Sequence, residues 1–178
     1  MSRDDHRPET ARALVESVEG VPVLVRDRHL TVVASNALAR ALSPGFVEGT
    51  NLARYTFVDS AGYAGAACWD VLAGQVAAML RESLDHHHED APFRHLVGEL
   101  SATSATFSAA WADEKAPARQ GVARFLGTPV GDVTLAYREE WIDDTQADAL
   151  MMLAGVDAES EARLARLASI VANGRIAE

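Results

Sequence analysis

Two arginine residues, Arg54 and Arg81, stand out in this 178-residue sequence because each lies beside apolar residues at helical spacing. A guanidinium group that points into an apolar cavity can hold a carboxylate through two parallel hydrogen bonds. The structural alternative is that either arginine pairs with Asp59, Asp70 or Glu99 and joins a helix to a sheet. We treat both arginines as candidate ligand contacts and keep the ion-pair interpretation open.

The aromatic side chains form a second set of candidates, because aromatic residues make up only 6% of the sequence. Aromatic residues at helical spacing are typical of ordinary core packing, but they can also line a ligand pocket. The two interpretations overlap, since a pocket is hollowed out of the hydrophobic core itself. The aromatic candidates for pocket lining are Phe57, Trp69, Phe107, Trp111 and Phe125.

Asn36 is the remaining candidate ligand contact. It precedes an Ala- and Leu-rich segment, residues 37–42, that has the composition of a helix. The side-chain oxygen of an asparagine at this position can accept a hydrogen bond from an amide of the first helical turn. Asn36 is therefore predicted to cap the helix, with a polar contact to a ligand as the alternative role.

Sequence patterns of catalysis are absent from the chain. It has no nucleophile elbow, P-loop, glycine-rich dinucleotide turn or HExxH motif. The consecutive histidines at positions 86–88, with Glu89 and Asp90, cannot all face one metal ion from a helix, because neighbouring side chains diverge by about 100°. We expect a solvent-exposed helix end there.

The chain has a single cysteine, Cys68, which excludes an internal disulfide. The sequence predicts a non-enzyme with no metal site and no cofactor.

Hydrophobic periodicity predicts the elements that position the candidates. Apolar runs at residues 21–25 and 30–34 flank a polar turn at residues 26–29, which indicates a hairpin that leads into the Asn36-capped helix. A disordered start over residues 1–8 and a helix over residues 9–19 precede this hairpin. The later predicted helices are residues 51–57, 64–86, a segment that begins at Pro92, a segment capped by Ser104, and residues 159–172. A second hairpin is predicted over residues 122–126 and 130–137, after a loop at 115–121.

Residues 146–154 present a conflict between local propensity and topology. Their Ala, Leu and Met residues favour a helix, but two hairpins need a fifth strand to complete one sheet, so we predict a strand. Hairpins with helices grouped between them indicate the α+β class. The prediction is a PAS-like antiparallel sheet of about five strands with helices over one face, a ligand cavity between the two layers, and terminal helices.

Several spaced sequence elements together resemble the ligand-binding domain of MmyB-like transcription regulators, which are helix-turn-helix proteins of the XRE type. The resemblance spans roughly residues 21–154. Its strongest pieces follow the patterns N-x-L-A, N-x-x-R-x-x-F-x-D, L-V-x-E-L and F-x-x-x-W. These patterns begin at Asn36, Asn51, Leu96 and Phe107, with Trp69, Leu80–Arg81, Val130–Gly131 and Leu135 at further matching positions.

The resemblance implies a PAS-like fold that binds a fatty-acid-like molecule. Members of this family usually carry a DNA-binding helix-turn-helix before this domain. Only about twenty residues precede the first hairpin, too few for such a module, and the net charge of −10 disfavours a phosphate-binding surface. We therefore expect no direct contact with nucleic acid from this chain. The expected division is a tail and short helix (1–20), the ligand-binding domain (21–155) and a C-terminal helix (156–178).

The leading hypothesis is a non-catalytic sensor domain of a transcription regulator that binds a small lipophilic ligand with a carboxylate head. The alternative is a protein-interaction or dimerisation module whose core is filled by its own side chains. Neither a secretory signal nor a membrane-spanning run is present in the sequence. We expect a cytoplasmic protein that does not contact the membrane and has the capacity to form a homodimer.

Overall fold

The computed structural model describes residues 3–59, 69–87, 90–113, 119–142 and 144–174, apart from the side chains of residues 3–7 and of residue 69. The strands are β1 (Val23–Asp27), β2 (Val32–Ser35), β3 (Gln120–Thr128), β4 (Gly131–Trp141) and β5 (Asp148–Gly155). The helices are α1 (Arg3–Glu16), α2 (Ala37–Leu42), α3 (Leu52–Arg54), α4 (Trp69–His86), α5 (Ala91–Thr103), α6 (Ala105–Ala112) and α7 (Ala158–Ala172). A 3-10 turn, Pro44–Phe46, follows α2, and a π-helical turn, Tyr55–Asp59, continues α3.

The five strands form one antiparallel sheet in the order β2-β1-β5-β4-β3. The central position of β5 explains why its Ala, Leu and Met residues do not form a helix. Met152 pairs with Val23 of β1 and with Arg138 of β4, so both edges of the strand are hydrogen-bonded and tertiary pairing overrides local propensity. The predicted α+β class, with a five-stranded antiparallel sheet, is confirmed.

Side chains of alternate residues in β1 point to opposite faces of the sheet, as strand geometry requires. Val23 and Val25 pack with Val15 of α1 on one face. Leu24 belongs to the larger core on the other face, which α2–α7 cover. The sequence prediction that Val23 and Val25 share a face opposite Leu24 is confirmed.

The N-terminal helix differs from the prediction. A disordered start was expected through Pro8, but α1 begins at Arg3 and includes Pro8, and residues 1–2 lie outside the described part of the chain. Its apolar residues Ala11 and Val15 are buried against β1 and β2. Packing on the sheet therefore stabilises a segment whose polar sequence carries little helical periodicity of its own.

The first turn also differs from the prediction, because Arg26 is not part of a polar turn. It lies within β1 and is completely buried. The turn is stabilised instead by Asp27, whose Oδ1 accepts hydrogen bonds from the backbone amides of His29 and Thr31, each at 2.8 Å. Leu30 adopts a left-handed backbone with φ of 65°. This conformation is uncommon for leucine, and it places the side chain in the core.

Arg26 forms a bidentate ion pair with Glu139 of β4. Its Nη2 lies 2.8 Å from Oε2 and its Nε lies 3.2 Å from Oε1. The Nη1 group donates to Ser83 Oγ of α4 at 3.3 Å, and the guanidinium lies 4.8 Å from the ring centroid of Trp141. The side chains of the pair are only 1% and 2% exposed. This network joins β1, β4 and α4.

We expect Glu139→Gln to lower the free energy of unfolding by about 3 kcal/mol, because it leaves the buried charge of Arg26 without a counterion. The neighbouring pair Arg138–Glu140 is 70% and 51% exposed, so Glu140→Gln is the matched control and should cost less than about 1 kcal/mol. Urea unfolding followed by circular dichroism measures both. Equal losses in the two variants would contradict a structural role for the buried pair.

Candidate ligand-binding site

A cavity of about 340 Å³ lies between the inner face of the sheet and the helices that cover it. Its walls come from the segment between α2 and α3, from one face of α4, and from β3, β4 and β5. The described lining residues are Leu42, Ser43, Pro44, Gly45, Phe46, Leu52, Tyr55, Thr56, Leu72, Gln75, Val76, Met79, Ala123, Arg124, Phe125, Leu126, Gly127, Tyr137, Met151 and Leu153.

The rim of the cavity is shaped by the turn that follows α2. Ser43 Oγ accepts a hydrogen bond from the amide of Gly45 and so begins the 3-10 turn. A Cβ atom at Gly45 would lie 2.6 Å from Cδ1 of Tyr55, so the missing side chain allows the tyrosine ring to pack on the backbone. Phe46 meets Phe125 of β3 edge-to-face, with ring centroids 5.6 Å apart. These contacts join the turn to both layers.

Gln75 and Tyr137 form a polar area on the cavity wall, above Gly121. A Cβ atom at Gly121 would lie 2.4 Å from Gln75 Nε2 and 2.8 Å from the Tyr137 hydroxyl, so both groups approach the backbone closely there. Gln75 Nε2 donates to the carbonyl of Val122 at 3.5 Å. Gln75 Oε1 is buried and has no hydrogen-bond partner among the described residues. Burial, with a further effect from the charge of Glu139, raises the pKa of Tyr137 and keeps the phenol neutral.

The charged lining residue, Arg124, does not bring its guanidinium to the cavity. Ala123 and Phe125 face the inner layer, so the side chain of Arg124 projects from the opposite face of β3. There its Nη2 lies 3.0 Å from Asp132 Oδ2. A hydrogen bond from the amide of Gly127, together with Arg124, lowers the pKa of Asp132. The remaining lining residues in the described part of the chain are uncharged.

The structure places Phe125 in the cavity wall and gathers three other aromatic candidates into one cluster. Phe57 and Phe107 meet edge-to-face at 5.0 Å, and Trp111 stacks on Phe107 at 5.4 Å. Arg81 lies over Trp111, 5.1 Å from its ring centroid, and donates to the carbonyl oxygens of residues 110 and 111. This cluster lies outside the residues that line the cavity, in the packing between α4 and α6.

The other candidates lie apart from this cluster. Arg54 Nη2 pairs with Glu99 Oε2 at 2.5 Å, at side-chain exposures of 48% and 34%. Arg54 thus forms one of the ion pairs that the sequence suggested, but the pair joins α3 to α5 and not a helix to the sheet. Trp69 is the first residue of the described part of α4, and its side chain lies outside what the structure describes. A ligand contact by Arg54, Arg81 or Trp69 stays a prediction.

Asn36 caps α2, as predicted, by accepting a hydrogen bond from the amide of Ala39 at 3.0 Å. The same oxygen accepts from the amide of Val23 at 3.3 Å, and Nδ2 donates to the carbonyl of Val21 at 2.8 Å. One side chain thus connects the start of β1 to the start of α2.

Gln75 and Met79 are site residues that the sequence analysis missed, although a signal was available. Leu72 and Val76 lie one turn apart and form part of an apolar stripe along α4. Residues 75 and 79 lie on the same face of the helix as this stripe. A polar glutamine within an apolar stripe marks a position where a buried hydrogen bond is needed. Tyr55 and Tyr137 carried no comparable signal, because only the packing of α3 and β4 brings them to the cavity.

The histidine segment behaves as a helix end. His86 is the last residue of α4 and meets Trp141 at 6.5 Å, and His87 approaches the carbonyl of Gln146 at 3.3 Å. Residues 88–89 lie outside the described part of the chain. Within the described ranges no cluster of three His, Cys, Asp or Glu side chains is placed to hold a metal ion, and no helix is long and apolar enough to cross a bilayer.

The sequence matches the family of the MmyB-like transcription regulator ligand binding domain over residues 7–167. The chain belongs to this family. A comparison with curated protein sequences found no significant match. The predicted resemblance is therefore confirmed, and this MmyB-like domain is a ligand-sensing regulatory domain whose sheet and helices border the cavity described above.

We expect Asn36→Ala to lower the free energy of unfolding by about 1–2 kcal/mol, because it removes the cap of α2 and the hydrogen bond to Val21. Asn36→Asp keeps the accepting oxygen but loses the Nδ2 donor, so its loss should be intermediate. Urea unfolding measures all three proteins. Unchanged stability in the Ala variant, together with weaker ligand binding, would favour the alternative role of Asn36 as a ligand contact.

Proposed function

We propose that this domain is a non-catalytic sensor with a PAS-like fold that binds a small amphipathic, fatty-acid-like molecule in the cavity between sheet and helices. The observation that carries this proposal is the apolar cavity itself, in a domain whose family binds ligands. Its volume of about 340 Å³ falls near the lower end of ligand pockets, which span about 300–1,000 Å³. A single alkyl chain suits such a space.

Apolar burial supplies most of the affinity in this proposal. Most of the described lining residues have apolar side chains, with leucine the most frequent, and a buried CH₂ group contributes about 0.8 kcal/mol. Each added CH₂ should therefore tighten binding about fourfold until the cavity is full. The cavity therefore selects ligands by the length of the alkyl tail, and no polar contacts along the tail are needed.

Ligand binding can reach the surface of the domain through α2. Leu42 lies both in α2 and in the cavity wall, and α2 packs against α7. A ligand that displaces Leu42 would shift the preferred position of α7, since a ligand favours the conformation that it binds more tightly. We propose that α1 and α7 pass this shift to the pairing of protomers, and that a separate module contacts DNA.

The alternative function, an interaction module with a self-filled core, differs in what it requires of the cavity. A self-filled core leaves no space for a ligand, whereas the space between Val76 and Ala123 is lined by apolar atoms on both sides. This space supports the sensor proposal over the interaction module. In the alternative, filling the cavity would have no effect beyond stability.

The substitution Ala123→Leu tests the proposal, because Ala123 is buried in the cavity wall. The larger side chain occupies space that the alkyl tail needs, so we expect affinity for decanol, dodecanol and their acids to fall at least tenfold. Isothermal titration calorimetry measures the affinities. Val122→Leu is the matched control, since Val122 is its exposed neighbour on the other face of β3, and it should leave affinity unchanged.

Native mass spectrometry of the purified protein supplies an independent test. We expect an added mass that corresponds to a lipid and that is absent from Ala123→Leu. A protein that carries no such mass, and whose melting temperature does not change with any of these amphiphiles, would contradict the proposed function.

A further inference from the structure

The buried end of the cavity indicates which residues set the length of the ligand. Resting on the proposed function, we propose that Met79 of α4 and Met151 of β5 form this end, and that the tip of the alkyl tail packs against their side chains. The two methionines then determine how long a tail the domain accepts. This inference concerns tail length, whereas the proposed function concerns the class of ligand.

The exposure of the wall residues distinguishes the two ends of the cavity. Met79 and Met151 are only 4% and 5% exposed. The exposed members of the described wall lie on two segments that the contact between Phe46 and Phe125 joins. They are Pro44, Arg124, Leu126 and Gly127. A fatty acid that enters at this exposed end leaves its carboxylate in water, where the charge stays hydrated, and directs its tail toward the methionines.

The register of the strands determines what lies behind Met151. Leu153 is paired with Tyr137 of β4, and both residues line the cavity. Two positions before Leu153, Met151 is paired with Glu139, and paired side chains of antiparallel strands lie on the same face of the sheet. Glu139 does not line the cavity, because it is buried in the ion pair with Arg26. Met151 is thus the residue of β5 at which the cavity wall meets the ion pair.

Helix α4 reaches the same ion pair from the other layer. Its lining residues end at Met79, and Ser83, one turn later on the same face, accepts a hydrogen bond from Arg26 Nη1 at 3.3 Å. Ser83 is completely buried and does not line the cavity. One methionine from each layer therefore stands between the cavity and the buried ion pair.

Methionine is physically suited to this position. Its unbranched side chain has several rotatable bonds and a polarisable sulfur atom, so it can adapt its shape to the terminal methyl group of a tail. The ion pair behind it resists displacement, because separating Arg26 from Glu139 would leave two buried charges without partners. Each added CH₂ should therefore increase affinity only until the tail reaches the methionines.

Calorimetry with saturated fatty acids, from octanoate to octadecanoate, tests this inference. In the parent protein we expect affinity to rise about fourfold with each added CH₂ up to one optimal length. Met151→Ala removes Cγ, Sδ and Cε and leaves space in their place, so its optimum should be longer by about two or three carbon atoms. Met151→Phe introduces a larger side chain, so its optimum should be shorter than that of the parent.

Met152→Ala is the matched control, because Met152 is the neighbouring methionine on the other face of β5 and packs against the apolar cluster beneath α1. Met152 does not line this cavity, so its variant should keep the parent optimum. Met79→Leu provides a conservative change in the other layer, of a kind that cores tolerate. Leucine is one atom shorter, so affinity for an acid one CH₂ beyond the parent optimum should rise about fourfold.

Opposite shifts in the two Met151 variants, with no shift in Met152→Ala, would support the inference. An unchanged optimum in Met151→Ala and Met79→Leu would overturn it and leave the proposed function standing. An equal shift in Met152→Ala would also overturn it, because the effect would then come from a general loosening of β5. If a Met151 variant does not fold, the result for Met79→Leu decides. A parent protein that binds none of these acids would count against the proposed function itself, and with it the inference.

Discussion

The buried ion pair between Arg26 and Glu139 is the constraint on which the arrangement of the cavity depends. It ties β1 to β4 across the intervening β5, and through Ser83 it holds the C-terminal part of α4 against the sheet. The preceding turns of the same helix carry Leu72, Gln75, Val76 and Met79, which form one wall of the cavity. An earlier turn of α4 also touches β3 through Gln75, so the cavity lies beside a helix that contacts the sheet at both of these points.

The space is also supported at its rim. Phe46 and Phe125 meet edge-to-face, and Tyr55 packs on the bare backbone of Gly45. Aromatic contacts of this kind are directional and add to simple area burial. The cavity is partly open to solvent, so its apolar wall is in contact with water until a ligand of about that size fills the space, and removing apolar surface from water is favourable. The domain thus has a physical reason to couple ligand occupancy to its stability.

Among the described residues, the cavity wall brings no charged group to the ligand space, while ion pairs join neighbouring elements within each layer. Arg54 binds Glu99, Arg124 binds Asp132, and Arg26 binds Glu139. Arg81 uses its guanidinium on carbonyl oxygens at the end of α6 and on the ring of Trp111. The cationic groups of these arginines therefore serve the packing between elements, and the cavity wall contributes hydrogen-bonding groups without charge.

Apart from the start of α1 and the extent of β1, the sequence by itself determined the order and type of the elements described above, because hydrophobic periodicity and capping chemistry are local. Asn36 at the start of α2, Ser104 at the start of α6 and the alternation in β1 were all predictable from neighbours in the chain. The strand β5 was predictable too. Its residues favour a helix, but two hairpins need a fifth strand to complete one sheet. The family too was recognisable from the spacing of short motifs, which the match over residues 7–167 confirms.

Only the tertiary structure decided which side chains meet. Arg26 lies in a polar segment that predicts a turn. Its partner Glu139 is 113 positions away in the sequence, so no local pattern could have predicted the pair. Gln75 became a wall residue because α4 faces β3, and Tyr137 because register places it beside Gly121. Burial and pairing depend on contacts between distant segments. The sequence therefore predicted the fold of this domain better than the lining of its cavity.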